Sequence, residues 1–170
     1  MLSPLSGDHE VPTAVLAEAE SFPATEPVPD AVLTEFLDRV AAADRIRGVA
    51  PRALSGYTDR VFQRAADNGT TLEMTLAESV FSQLSSIEPE LVTERLQQEL
   101  FSVARGPVDA EFGYWIGERP DHIGLIVYAD RGVHGLVIND TAAAIDWASE
   151  RYASLQERTT PVTPADVQEA

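Results

Sequence analysis

The sequence predicts an α/β protein: a mixed, mostly five-stranded sheet with helices on its faces. Strand-type alternation and helix-type amphipathic periods succeed one another along the chain, and strands separated by helices close into one covered sheet. Residues 108–157 hold three apolar strand-like runs in quick succession and then one long amphipathic helix, so the late strands form antiparallel hairpins. With 170 residues and 44% hydrophobic content, the chain is long and apolar enough for one domain with a substantial core.

The elements follow in order. Residues 1–29 contain Pro4, Pro12, Pro23, Pro27 and Pro29 among scattered acidic residues, the composition of a linker or arm, with at most a short helix over 13–20. The domain itself spans 30–158. Asp30 caps a helix over 31–43 whose apolar face is Val32, Leu33, Phe36, Leu37 and Val40. Ile46–Ala50 is a short strand ending at Pro51-Arg52. Ser55 caps a helix over 56–68 that turns Tyr57, Val61, Phe62 and Ala65 inward and stops at Asn68-Gly69. Residues 70–76 alternate through Leu72, Met74 and Leu76, a second strand. Helices over 77–86 and 89–101 flank the break at Glu88-Pro89; they pack through Phe81, Leu84, Val92, Leu96 and Leu100. In the third strand, 108–116, Val108, Ala110, Phe112, Tyr114 and Ile116 share one face and Trp115 takes the other. Ile123–Ala129 is nearly continuous in apolar residues, as in a strand covered on both sides. Asp130-Arg131-Gly132 turns the chain into Val133–Ile138. Asn139-Asp140-Thr141 offers capping oxygens for a helix over 141–157. The polar segment 159–170, with Pro161 and Pro164, reads as a fraying tail.

The net charge is −16, with an isoelectric point near 4.3. All twelve basic residues are Arg and none is Lys, although Lys is among the commonest residues. Crowded carboxylates repel in dilute buffer, but in roughly 1 M salt the Debye length shrinks to about 3 Å and the repulsion is screened. The composition therefore points to a halophilic protein. It also argues against direct DNA binding by this chain, since phosphates would be repelled. Without Cys there are no disulfides or thiolate metal sites. Neither a membrane span nor a signal peptide is visible, so the expected location is cytoplasmic.

Three fragments carry a family resemblance. They are Ala43-Asp44-Arg45-Ile46-Arg47-Gly48-Val49-Ala50-Pro51; Asn68-Gly69-Thr70-Thr71-Leu72-Glu73-Met74-Thr75-Leu76; and the late block. That block comprises Ile123-Gly124-Leu125-Ile126-Val127-Tyr128-Ala129-Asp130, Gly135-Leu136-Val137-Ile138, and Ala144-Ile145-Asp146-Trp147-Ala148 with Tyr152. In order and spacing, residues 15–160 resemble the effector domain of FilR-type archaeal winged-helix transcriptional regulators, a group common in halophilic archaea. The resemblance implies a sheet like half of a phospholipase-D-like fold without its catalytic motif. It also implies a ligand-sensing or dimerising domain of a regulator. Family members carry a DNA-binding winged helix before this region, and no such pattern precedes residue 30. DNA would thus be reached only through a winged-helix domain outside this chain.

The chemistry in the residues fits binding better than catalysis. Phospholipase-D chemistry needs a His with a Lys, and the lack of Lys also removes P-loop, Schiff-base and Ser–Lys mechanisms. Helices 77–86 and 89–101 mimic a helix-turn-helix, but the second carries Glu90, Glu94 and Glu99 against Arg95 alone, the wrong charge for a recognition helix. Of the His residues, His9 lies in the arm; His122 and His134 read as surface residues of a hairpin, with a metal pair as the alternative. No metal, cofactor or catalytic residue is expected. Ligands of open α/β sheets sit beyond the carboxyl ends of strands. Those ends offer Arg52 and Tyr57 after the first strand and Asn139 and Asp140 after the last. Arg52 suits a carboxylate or phosphate, or else a surface ion pair. Tyr57 suits stacking or a hydrogen bond. Asn139 and Asp140 suit ligand hydroxyls, or else helix capping. Trp115 lies under a helix, in a pocket or in a dimer contact, while Tyr114 is core and Trp147 packs on the sheet. The expected partners are a small-molecule effector and a second copy of the chain. The alternative is a ligand-free dimerisation module.

Overall fold

The computed structural model describes residues 11–23, 30–53, 57–130 and 132–169. Its strands are β1 (Glu20–Pro23), β2 (Arg45–Ala50), β3 (Thr71–Ala77), β4 (Phe101–Gly106), β5 (Phe112–Glu118), β6 (His122–Tyr128), β7 (Val133–Asn139) and β8 (Thr160–Pro161). Its helices are α1 (Thr13–Leu16), α2 (Asp30–Ala42), α3 (Thr58–Asn68), α4 (Glu78–Ile87), α5 (Pro89–Leu96), α6 (Ala142–Gln156) and α7 (Pro164–Glu169). The strands form one sheet in the order β1-β7-β6-β5-β2-β3-β4-β8. β2, β3 and β4 run parallel, joined by helical crossovers. β5, β6 and β7 form an antiparallel meander joined to β2 through β5.

The sheet has eight strands rather than five, and the three additions have local causes. β1 comes from the proline-rich arm and pairs with β7 at the sheet's edge, where Pro23 needs no ladder partner on its outer side. The arm is anchored further: Val15 is buried, and Asn139 Nδ2 donates to the carbonyls of Val15 at 2.7 Å and Ala17 at 3.1 Å. β4 replaces the end of the helix expected over 89–101. That helix stops at Leu96, and Phe101 and Val103 point into the core from a strand parallel to β3. Leu100, expected to pack between helices, is exposed. β8 and α7 come from the expected tail, held by buried Val162 and Val167. The caps expected from Asp30 and Ser55, the turn residue Arg131 and His9 in the arm lie outside what is described of side chains.

Alternation divides the core into two layers. One face of the sheet, with Ile46, Leu72, Phe101, Trp115 and Leu136, packs under α2, α3, α4 and α7, with α5 at its margin. The other, with Val49, Tyr114, Ile116, Leu125 and Val137, packs under α1 and α6. The crossover α3 ends as its sequence requires. Gly69 adopts φ +68° and closes the last turn onto the carbonyls of Ala65 and Ala66, a left-handed cap that glycine adopts without strain. Thr70, fully buried, then donates its hydroxyl to the carbonyls of Val40 and Ala43, pinning the end of α2 to the start of β3.

Candidate ligand-binding site

A cavity of about 90 Å³ lies between the sheet and the helices α2, α3 and α4. Its walls are Leu33, Phe36 and Leu37 from α2, Val61 and Phe62 from α3, and Val80 and Leu84 from α4. Its floor is Ile46, Gly48 and Ala50 of β2, Met74 of β3, Trp115 of β5, and Ile126 and Tyr128 of β6. The lining is almost wholly apolar, and Arg52 and Tyr57 stand where β2 leads into α3. Arg52 is exposed; its guanidinium lies 5.3 Å above the Tyr128 ring, and Nη1 donates to the Ala129 carbonyl at 3.3 Å. Arg60 covers the Tyr57 ring at 5.1 Å.

The floor exists because glycines give up their side-chain volume to neighbours. At Gly48 a Cβ would stand 2.8 Å from Met74 Sδ, so the thioether fills the space above the bare backbone. Trp115 lies directly across from Gly124, and its indole covers it so closely that a Cβ there would stand 2.1 Å from the ring. Phe36 of α2 closes on the other side of that indole, with centroids 4.7 Å apart. Tyr128 likewise lies over Gly113, its hydroxyl 2.7 Å from where a Cβ would be. Burial raises the Tyr128 phenol well above its usual range, against the opposing pull of Arg52, so it stays protonated and adds no charge to the cavity.

Three of the five sequence-predicted residues, Arg52, Tyr57 and Trp115, meet in this cavity. Asn139 and Asp140 do not. β7 runs antiparallel to β2 across the sheet, so its carboxyl end lies at the opposite end of the molecule. Asn139 is buried and fully engaged: besides the arm, its Oδ1 accepts from the Thr141 amide at 2.8 Å. Thr141, not Asp140, caps α6, accepting from Ala144 N. Sequence reasoning missed Gly48, Met74 and Tyr128. A glycine inside a strand marks a close approach, and Gly48 carried that signal.

His122 departs from the surface position expected of it. It is buried, with its ring over Gly117, and accepts the Trp115 indole N–H at 3.0 Å on Nε2. Nδ1, 2.7 Å from the Pro120 carbonyl, therefore holds the proton and donates it there. His134 is exposed at the other end of the β6–β7 hairpin, so the two cannot share a metal. Among the described residues no group of His, Cys, Asp or Glu is arranged to hold a metal ion. Burial pushes the His122 imidazole below its usual value of 6.5, against the Pro120 carbonyl. A base with a depressed native pKa contributes stability that is complete above the unfolded value and lost as pH falls through the folded one. Stability in about 2 M KCl, where surface carboxylates are screened, is accordingly expected to fall between pH 7 and pH 5. Urea midpoints across that window check it; His122→Gln, which keeps an acceptor for the indole but cannot titrate, is expected to show a smaller fall.

A mixed sheet with helices on both faces is a fold that this chain shares with a structure of the phospholipase D family. That structure is Nuc from Salmonella typhimurium (TM-score 0.63, 8% identity, 86% of this chain and 98% of that one). NucT from Helicobacter pylori is similar (TM-score 0.61, 12% identity, 85% and 100%). TrmBL2, described as an archaeal chromatin protein with a novel mode of DNA binding, matches at TM-score 0.62 and 10% identity over 88% of this chain. This chain spans 58% of the TrmBL2 chain. No curated protein matches by sequence. Residues 29–158 match the family described as the methanogenesis regulatory protein FilR1, middle domain; the chain belongs to that family and is a regulatory domain of a transcription regulator.

Proposed function

We propose that this domain senses a small effector, a short-chain carboxylic acid, in the cavity between α2, α3 and the sheet. The effector's alkyl group would lie against Gly48, Met74 and Trp115 and its carboxylate against Arg52. The observation that carries this reading is an apolar cavity of about 90 Å³ with a guanidinium at its solvent side. A cavity of roughly 150 Å³ holds benzene, so the body accepted here is smaller than a ring. A guanidinium matches a carboxylate in both charge and shape. Sensing requires that the ligand bind one arrangement of the domain better than another; α2 and α3, which wall the cavity, are the elements such a difference would move. In the full regulator the change would be passed through a homodimer to a winged-helix DNA-binding domain, in the cytoplasm of a halophilic archaeon. Among the described residues no helix is long and apolar enough to cross a membrane. The domain itself would carry out no reaction. The chain has no Lys to act with a His, and His122 is committed to Trp115 and Pro120.

Thermal unfolding in about 2 M KCl with acetate, propionate, butyrate and isobutyrate tests the proposal. A ligand at roughly 100 times its dissociation constant stabilises by about 2.7 kcal/mol, which for a domain of this size raises the melting temperature by about 5 °C or more. Arg52→Ala is expected to abolish the rise. Gly48→Ala is expected to reduce it while leaving the fold intact, because the added Cβ meets only the flexible end of Met74. No acid-dependent rise, with a melting temperature that depends on protein concentration, would replace sensing by dimerisation alone.

A further inference from the structure

With no Cys in the chain, Met74 carries the only sulfur among the described residues. It stands in the interior of the sheet, opposite Gly48 of β2 on one side and Val103 of β4 on the other. Leu72 and Leu76, which share its face of β3, are 0% and 8% exposed, and Val103 is 8% exposed. Met74 is nevertheless only half-buried. The reason is Gly48. With no side chain there, the space over β2 belongs to the thioether, whose sulfur and methyl carbon lie 2.8 and 3.1 Å from where a Cβ would be. Both residues line the apolar cavity under α2, α3 and α4, and that cavity is the open space on this face of the strand.

In a chain without thiols the thioether is the soft, oxidisable group. Hydrogen peroxide transfers one oxygen to it. A sulfur lone pair attacks a peroxide oxygen, the O–O bond breaks, an S–O bond forms and water leaves. The sulfur loses two electrons and the peroxide gains them. Susceptibility follows access. A water's share of liquid volume is about 30 Å³, so a cavity of about 90 Å³ admits hydrogen peroxide. A benzene-sized body needs roughly 150 Å³ and is excluded. The product suits its surroundings badly. A sulfoxide turns a flexible apolar side chain into a polar one. Its oxygen seeks donors, but the lining is almost wholly apolar and the Trp115 indole N–H on the floor is committed to His122.

We infer that Met74 is a modification site: hydrogen peroxide enters the cavity and converts the thioether to the sulfoxide, which puts a polar group where the cavity was apolar. The inference goes beyond acid sensing and needs only the cavity, whatever that cavity binds. Oxidation closes the cavity to apolar ligands and weakens the packing of α2 and α3 on the sheet. A methionine sulfoxide reductase, with a thiol as reductant, restores the thioether.

Treatment of the whole chain with hydrogen peroxide in about 2 M KCl, followed by peptide mass spectrometry, tests the inference. Met74 is expected to gain one oxygen at a rate within about thirtyfold of its rate in the guanidinium-unfolded chain. The bulkier tert-butyl hydroperoxide has as many non-hydrogen atoms as benzene; with it the native-to-unfolded ratio is expected to be smaller by about tenfold or more. The oxidised protein is expected to melt lower by about 5 °C. Met74→Gln, which puts an amide near the place of the sulfoxide, is expected to melt lower as well. Met74→Leu, a volume-conserving change, is expected to lose the thermal response to peroxide. The inference is overturned if native Met74 oxidises more slowly than that thirtyfold bound, if both oxidants give the same ratio, if the oxidised protein melts as the parent does, or if Met74→Leu responds to peroxide as the parent does.

Discussion

Gly124→Ala is expected to destabilise the domain by about 3 kcal/mol or more, although it adds one methyl group. The new Cβ would occupy the place of the Trp115 indole, 2.1 Å from two of its ring carbons. The indole has nowhere to retreat. It is 1% exposed, packed on Phe36 and tied through its N–H to buried His122. Displacing it forfeits those contacts together, so the cost approaches the roughly 3–5 kcal/mol of a large aromatic truncated in a core. Chemical denaturation in high salt checks the size. Trp115→Ala is expected to cost about as much alone, and far less when Gly124→Ala is already present, because both act on one contact. Full additivity of the two would show that the glycine and the indole are independent.

Removing salt is expected to have a comparable effect on the unaltered protein. If each of the twelve Arg neutralised one carboxylate, 28 − 12 = 16 would remain unmatched. The ion pairs present, such as Arg45 with Glu73 at 2.6 Å and Arg95 with Asp59 at 2.7 Å, tie elements together but leave that excess in place. The Debye length is about 10 Å at 0.1 M and about 3 Å at 1 M, so the mutual repulsion is felt in dilute buffer and largely cancelled in concentrated KCl. The melting temperature is expected to rise by about 10 °C or more from 0.1 to 2 M KCl, which corresponds to several kcal/mol at this size. Equal stability at both concentrations would refute a design for high salt.

Much of the fold was legible because alternation and helical period are strong signals where elements are long. β5 shows this: the alternation that put Phe112, Tyr114 and Ile116 on one face and Trp115 on the other is the division between the two core layers. β4 was hidden because Gln97, Gln98 and Glu99 favour helix and extend the periodicity of α5 into a segment that turns. β1 was hidden because its proline, Pro23, argues against a strand everywhere but at an edge.

The candidate site was half legible for a topological reason. Arg52 and Tyr57 follow from the rule that ligands collect beyond the carboxyl ends of strands. Applying that rule to β7 assumed that it runs with β2. The hairpins reverse direction at each step, so β6 runs with β2 and delivers Tyr128 beside Arg52, while β7 carries Asn139 and Asp140 to the far end. The burial of His122 was invisible because the glycine that admits its ring, Gly117, is on the neighbouring strand.

The most direct measurement is the fluorine NMR spectrum of the protein labelled with 5-fluorotryptophan, titrated with the short-chain acids in about 2 M KCl. The chain has two Trp residues: Trp115 on the floor of the apolar cavity, and Trp147 stacked on Phe112 on the other face of the sheet. The account expects a saturable shift of the Trp115 resonance, absent in Arg52→Ala, while Trp147 stays in place. Movement of Trp147 alone, or of neither resonance with any acid, would contradict effector sensing in that cavity.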